Sequence, residues 1–226
     1  MNARADASAT QLRISVDCKA AVKVGALSRN GLSRTLVEAL DHDFHPDEVI
    51  VPIGILVPKT AELWITMVRS PATADAISDA IENWWLANQT RYPGVDWLVV
   101  DQDNGPENNS RRRQFMARMV QFADGAKIHV ELAYYPPYHS KYNAIERCWA
   151  ALEKYWNGAL LTSIDAVIGY ASNMTWKGSH PVVNFIERVY RKGVTLADDA
   201  MRDVEARLER HATLGRWFVD IASSIP

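Results

Sequence analysis

The chain has 226 residues, 25 Lys and Arg against 27 Asp and Glu, and a formal net charge of −2. With 48% apolar and 23% charged residues the composition is that of an ordinary globular protein, which excludes disorder driven by low hydropathy and high charge. No run approaches the roughly 18 uninterrupted apolar residues of a spanning helix, the start MNARADASATQLR lacks the apolar stretch of a secretion signal, and a balance just on the acidic side speaks against a broad basic face for nucleic acid.

Residues 1–10 are small and polar and read as a flexible N-terminus. From Leu12 the string LRISVDC alternates apolar and polar, the period of a strand covered on one face. Residues 21–28 alternate again after a short break and predict a hairpin with the first strand. Residues 29–60 carry turn residues and a proline-interrupted apolar stretch, and read as an irregular insertion with short extended pieces. Residues 62–70 predict a third strand. Pro71 opens a helix whose Ala74, Ile77, Ile81, Trp84 and Trp85 fall at helical spacing. DWLVV is a continuous apolar run of the kind found in a strand covered on both faces. After the polar turn DQDNGPENNS, Ser110 reads as the N-cap of a helix with Phe115, Met119 and Phe122 on one side. Residues 127–135 predict a further strand, and residues 140–158 an amphipathic helix with the seam Ile145, Cys148, Trp149, Leu152, Tyr155 and Trp156. The remainder, 159–226, reads as a C-terminal helical extension. Cys18 and Cys148 make neither a disulfide framework nor a cysteine metal site. An early meander followed by strand–helix alternation predicts an α/β fold, a mixed sheet flanked by helices in the element order of a ribonuclease-H-like core over residues 11–158.

Three acids stand out against this scaffold. Asp17 ends the first strand and shares a face with Ser15 and Lys19; Asp101 and Asp103 follow the most apolar strand, where ligand sites gather at strand carboxyl ends; Glu146 lies beside the seam of the last core helix. Taken singly, each has an ordinary structural reading: a solvated outer face for Asp17, turn chemistry for Asp-Asn-Gly, a solvated helix flank for Glu146. Together they match what a magnesium site for phosphoryl transfer requires, hard oxygen donors from separate elements converging at one sheet edge. No HExxH, Walker A or GxGxxG pattern competes with them.

The string PPYHSKYNAIER, residues 136–147, resembles the PPYS..NxIE block of bacterial DDE transposases related to the Tc/mariner lineage, and is most similar to the ISAzo-type insertion-sequence transposases. SVDCK (15–19), DNGPEN (103–108), IENWW (81–85), YRKGV (190–194) and GRW (215–217) resemble further blocks of that family. The resemblance implies a catalytic domain with the triad Asp17, Asp103 and Glu146, Asp103 standing ahead of the alternative Asp101 because it begins the turn matching the family's DGG. It further implies two Mg²⁺ ions, for which Mn²⁺ substitutes, and DNA cleavage and strand transfer at transposon ends. The implied partner is double-stranded DNA, transposon ends and target, bound by a homodimer or higher assembly in the bacterial cytoplasm, associated with the nucleoid and with no membrane. Lys19, Lys141 and Arg111, Arg112 and Arg113, which open a helix past the Asp103 turn, are candidate phosphate contacts, a solvated basic turn being the other reading of the arginines. Tyr138 and Tyr142 are stacking candidates, and His139 a candidate partner of phosphate or water. A ribonuclease-H-like nuclease without strand transfer, or an inactive truncated transposase, would show the same acids. Family members carry an N-terminal helical DNA-recognition region, whereas this chain starts 16 residues before Asp17, so the expectation is a catalytic core whose main DNA affinity is supplied elsewhere.

Overall fold

The computed structural model describes residues 2–29, 38–40, 46–69, 71–135 and 143–224. Among them nine strands form one mixed sheet. The first four in the chain are β1 (Gln11–Cys18), β2 (Val22–Val24), β3 (Glu48–Val57) and β4 (Glu62–Val68); they are followed by β5 (Trp97–Gln102), β6 (His129–Tyr134), β7 (Val182–Ile186), β8 (Leu208–Arg210) and β9 (Phe218–Ile221). Along the sheet the order is β7-β4-β3-β1-β5-β6-β9-β8, with β2 also paired to β3. The meander β1, β3, β4 is antiparallel, and β1, β5 and β6 run parallel. The helices are α1 (Asn2–Ala7), α2 (Ala74–Asn88), α3 (Arg113–Ala126), α4 (Glu146–Trp156), α5 (Ile164–Asn173) and α6 (Asp198–Glu205).

Strand parity divides the core in two. Leu12, Ile14 and Val16 of β1, with Leu98 and Val100 of β5, pack under the Trp84, Trp85, Phe115 and Met119 side of α2 and α3. On the opposite face Leu56, Ile65 and Met67 pack under α4 and α5 through Ile145, Cys148, Trp149, Leu152 and Trp156. The mixed sheet with helices on both faces is therefore as the pattern predicts, and the acid of β1 projects toward α4.

Several local expectations are corrected. Residues 48–57 are one ten-residue strand rather than part of an irregular insertion. Pro52 is tolerated there because its carbonyl accepts from Lys19 N (2.9 Å), so its missing N–H faces the gap between β1 and β2, where no ladder bond is needed. Since β3 is long enough to serve both, β1 and β2 lie end to end along it instead of forming a hairpin. Helix α3 starts at Arg113, not after Ser110, because Asn109 Oδ1 accepts from Arg111 N and Asn109 Nδ2 donates to Gly105 O, a turn that competes with the helix. The C-terminal part is not purely helical: β7 extends the sheet in parallel beside β4, and β9 in antiparallel beside β6, covering both edges of the core sheet. Helix α4 is shorter than its amphipathic pattern, beginning at Glu146, and Tyr155 of the predicted seam is exposed.

Candidate active site

The first acid sits where β1 meets the underside of α4. Asp17 pairs across the ladder with Gly54 of β3, and a Cβ at Gly54 would lie 2.5 Å from Trp149 Cη2 and 2.6 Å from Ile145 Cδ1. Only glycine lets the indole lie this close to the sheet. From there Trp149 Nε1 donates to Asp17 Oδ2 at 2.7 Å. The helical pattern assigns Trp149 to the core, where it is, but its polar edge has a second task.

The start of α4 is latched to the same strand. Ser15, fully buried beside Asp17 on β1, donates its hydroxyl to Asn143 Oδ1 and accepts from Ile145 N at 3.1 Å. Asn143 Nδ2 returns to the carbonyl of Val16 at 3.1 Å. This closed set of bonds fixes Glu146, the first helical residue, relative to Asp17. Ser15 and Asn143 both lie within the blocks that carry the family resemblance, yet no local signal in either assigns it this role.

Asp103 arrives from the turn after β5. Asn108 Nδ2 donates to its Oδ1 (2.9 Å) and also reaches Gln102 Oε1 (3.1 Å), folding the turn around the carboxylate. Gly105 is needed here too, since a Cβ would stand 2.8 Å from Asn108 Oδ1 and 3.1 Å from Asp103 Oδ2.

Asp17 senses the other two acids. Asp17 is pushed up to about 6, first by burial and then by the negative charges of Asp103 and Glu146, against the opposing bond from Trp149. Among the described residues no lysine or arginine forms an ion pair with any of the three. Asp101 is different. It is buried one step back on β5, and its carboxylate accepts from Arg13 Nη1 at 2.8 Å, while Arg13 is also held by Asp6 of α1 at 2.6 Å. Burial raises Asp101, and Arg13 opposes that.

The basic residues are distributed otherwise than their positions in sequence suggest. Lys19 pairs with Glu153 of α4, Arg112 with Glu107 (3.1 Å), and Arg113 with Asp198. Arg111 has no carboxylate partner among the described residues. Lys141, Tyr138, His139 and Tyr142 lie outside the described residues. No three His, Cys, Asp or Glu side chains among the described residues stand close enough to share an ion. The donor types nonetheless fit a hard divalent cation: all three are carboxylates, and a cation would offset the charges that disfavour ionised Asp17.

An open mixed sheet with helices packed on both faces is the arrangement of the ribonuclease-H-like class. The chain matches the family described as the Rhodopirellula transposase DDE domain over residues 2–223, and it belongs to that family. No curated protein matches it. No helix among the described residues is long and apolar enough to cross a membrane.

Proposed function

We propose that this transposase domain cleaves DNA at transposon ends and joins the freed strand to a target, with Asp17, Asp103 and Glu146 holding two Mg²⁺ ions. The observation that carries the reading is the buried carboxylate of Asp17, whose charged form Asp103 and Glu146 further disfavour and which pairs with no described lysine or arginine. Asp101, already neutralised by Arg13, is the weaker candidate for the second acid.

Bound there, the ions would supply Lewis acidity toward the attacking water and the DNA 3′-OH and offset the charge of the scissile phosphate. The chain's own contribution is placement. Trp149 holds Oδ2 of Asp17, Asn108 orients Asp103, and the Ser15–Asn143 latch sets the first turn of α4. Catalysis then rests on positioning and charge neutralisation, with no covalent enzyme intermediate. Double-stranded DNA is the partner in this reading, with Arg111 the least encumbered of its phosphate contacts, in a homodimer or higher assembly on the nucleoid.

The test is a supercoiled plasmid carrying the element's ends, incubated with Mg²⁺ or Mn²⁺ and scored for nicked and joined products. Asp17→Asn, Asp103→Asn and Glu146→Gln are each expected to lose activity by about 10²–10³-fold or more, whereas Asp101→Asn retains it as long as the fold holds. Full nicking by D17N or E146Q would refute the assignment. Nicking with no joined product would identify a nuclease.

A further inference from the structure

A second charged region lies on the far side of the Asp103 turn. A cavity of about 640 Å³ is walled by Ser110 and Arg111, the start of α3, helix α6 and the connection between β8 and β9. Five arginines line it, Arg111, Arg113, Arg202, Arg210 and Arg216, against two acids, Asp198 and Glu205. In a chain of net charge −2 this is a concentrated positive site, and the guanidinium fork is the side chain best matched to phosphate oxygens.

The pairing of these arginines suits exchange. Arg113 pairs with Asp198, Arg202 with Asp199 and Arg210 with Glu205, and the three acids are 82, 87 and 49% exposed. Ion pairs so exposed contribute little in water, so a phosphate oxygen can replace the carboxylate oxygen at small cost. Arg216 has no carboxylate partner among the described residues and lies over the Trp217 ring, 5.2 Å from its centroid. Arg210 is the strut. Its Nη1 donates to the carbonyl of Ser110 (2.8 Å) and its Nε to Glu205 (2.7 Å), which ties β8 to the connection that begins at Asp103.

We propose that this cavity seats a backbone phosphate of duplex DNA outside the acidic site, with Arg111 and Arg216, which have no described carboxylate partner, and Arg202, whose pair is exposed, as its ligands. The arginines come from separate elements, and apart from Met201 no apolar side chain lines the cavity to cover a base; that favours a backbone phosphate over a free nucleotide. The proposal rests on the reading of DNA as substrate, but it concerns binding alone. It is tested without divalent metal, where cleavage plays no part.

The full chain is titrated with a labelled duplex in EDTA over a series of KCl concentrations, and the affinity is read by anisotropy. Arg202→Ala combined with Arg216→Ala is expected to lower the log–log salt slope by roughly 0.9, the share of the one phosphate left unneutralised. The double lysine variant keeps most of the slope, and Arg111→Ala alone lowers it by a part of that roughly 0.9. Arg69→Ala with Arg91→Ala, which removes two arginines that do not line the cavity, leaves the slope unchanged. An unchanged slope in R202A/R216A, an equal fall in the R69A/R91A control, or no duplex binding by the wild-type chain would overturn the proposal. So would ATP displacing the duplex from the wild type but not from R202A/R216A at equal phosphate concentration, which assigns the cavity to free nucleotides. Binding that follows the expected slopes in a chain that fails to cleave with Mg²⁺ would sink the proposed reaction and leave this site standing.

Discussion

Replacing Gly54 by alanine tests the link between the packing of α4 and the first acid. The added methyl would stand 2.5 and 2.7 Å from two carbons of the Trp149 ring and 2.6 Å from Ile145 Cδ1, where carbons normally rest about 3.5–4.0 Å apart. The indole must therefore withdraw by about 1 Å, and its 2.7 Å bond to Asp17 passes the limit of a useful hydrogen bond. Overpacking of this kind costs about 1–3 kcal/mol, and losing a bond to a charged group adds about 1.5–3 kcal/mol. The lower chain entropy of alanine returns less than about 1 kcal/mol. A net loss of about 1.5–6 kcal/mol is expected in urea unfolding, together with a further rise in the Asp17 pKa, because the bond from Trp149 is the first of those that lower it. In a Trp149→Ala background the same substitution should cost far less, since the main clash is gone. A G54A protein as stable as the wild type, or an equal cost in both backgrounds, would refute the reasoning.

Other perturbations probe the site and its supports. Asp17 has a raised folded pKa, about 6 against 3.8, so the folded state binds the extra proton and stability falls as pH rises through that window; relative to D17N, the wild type should lose about 2 kcal/mol between pH 4 and pH 7 in metal-free buffer. A pH-independent difference between the two proteins would contradict this, and Mg²⁺ should restore stability to the wild type only. Asp124 is the opposite case. Arg207 and Ser224 hold it down to about 2, so its contribution is complete above pH 4 and disappears as pH falls toward 2; D124N should be about 1–2 kcal/mol less stable at pH 7 and should lack that acid limb in its unfolding profile. Asn143→Ala strands the Ser15 hydroxyl and the Val16 carbonyl in a buried site, for an expected loss of about 2–4 kcal/mol. Hydrogen exchange should speed up first in the opening turn of α4, and unchanged protection there would count against the latch.

Much of this protein is written in local pattern. The alternation of residues 12–18 determines that Asp17 and Ser15 leave the same face of β1, and the unbroken apolar run of β5 determines that its acids emerge at a covered strand's end. The seam of α4 determines that Ile145, Cys148, Trp149, Leu152 and Trp156 turn inward, because helical and strand periods report burial along a single element. What periodicity cannot report is the identity of a partner. That Asp101 has a cationic partner, while Asp103 has none among the described residues, depends on Arg13, 88 residues from Asp101 in the chain. That Gly54 must lack a side chain depends on a ring contributed by α4. The strands β7 and β9 are short and weakly patterned, and they become strands because the core sheet has two open edges whose N–H and C=O groups need partners. Most core elements, β1 and β5 and the helices that follow them, were thus determined by residues close together in the chain. The edge strands, and which charge is paired with which, were decided only by tertiary contacts, because partners such as Arg13 and Asp101 are far apart in the chain.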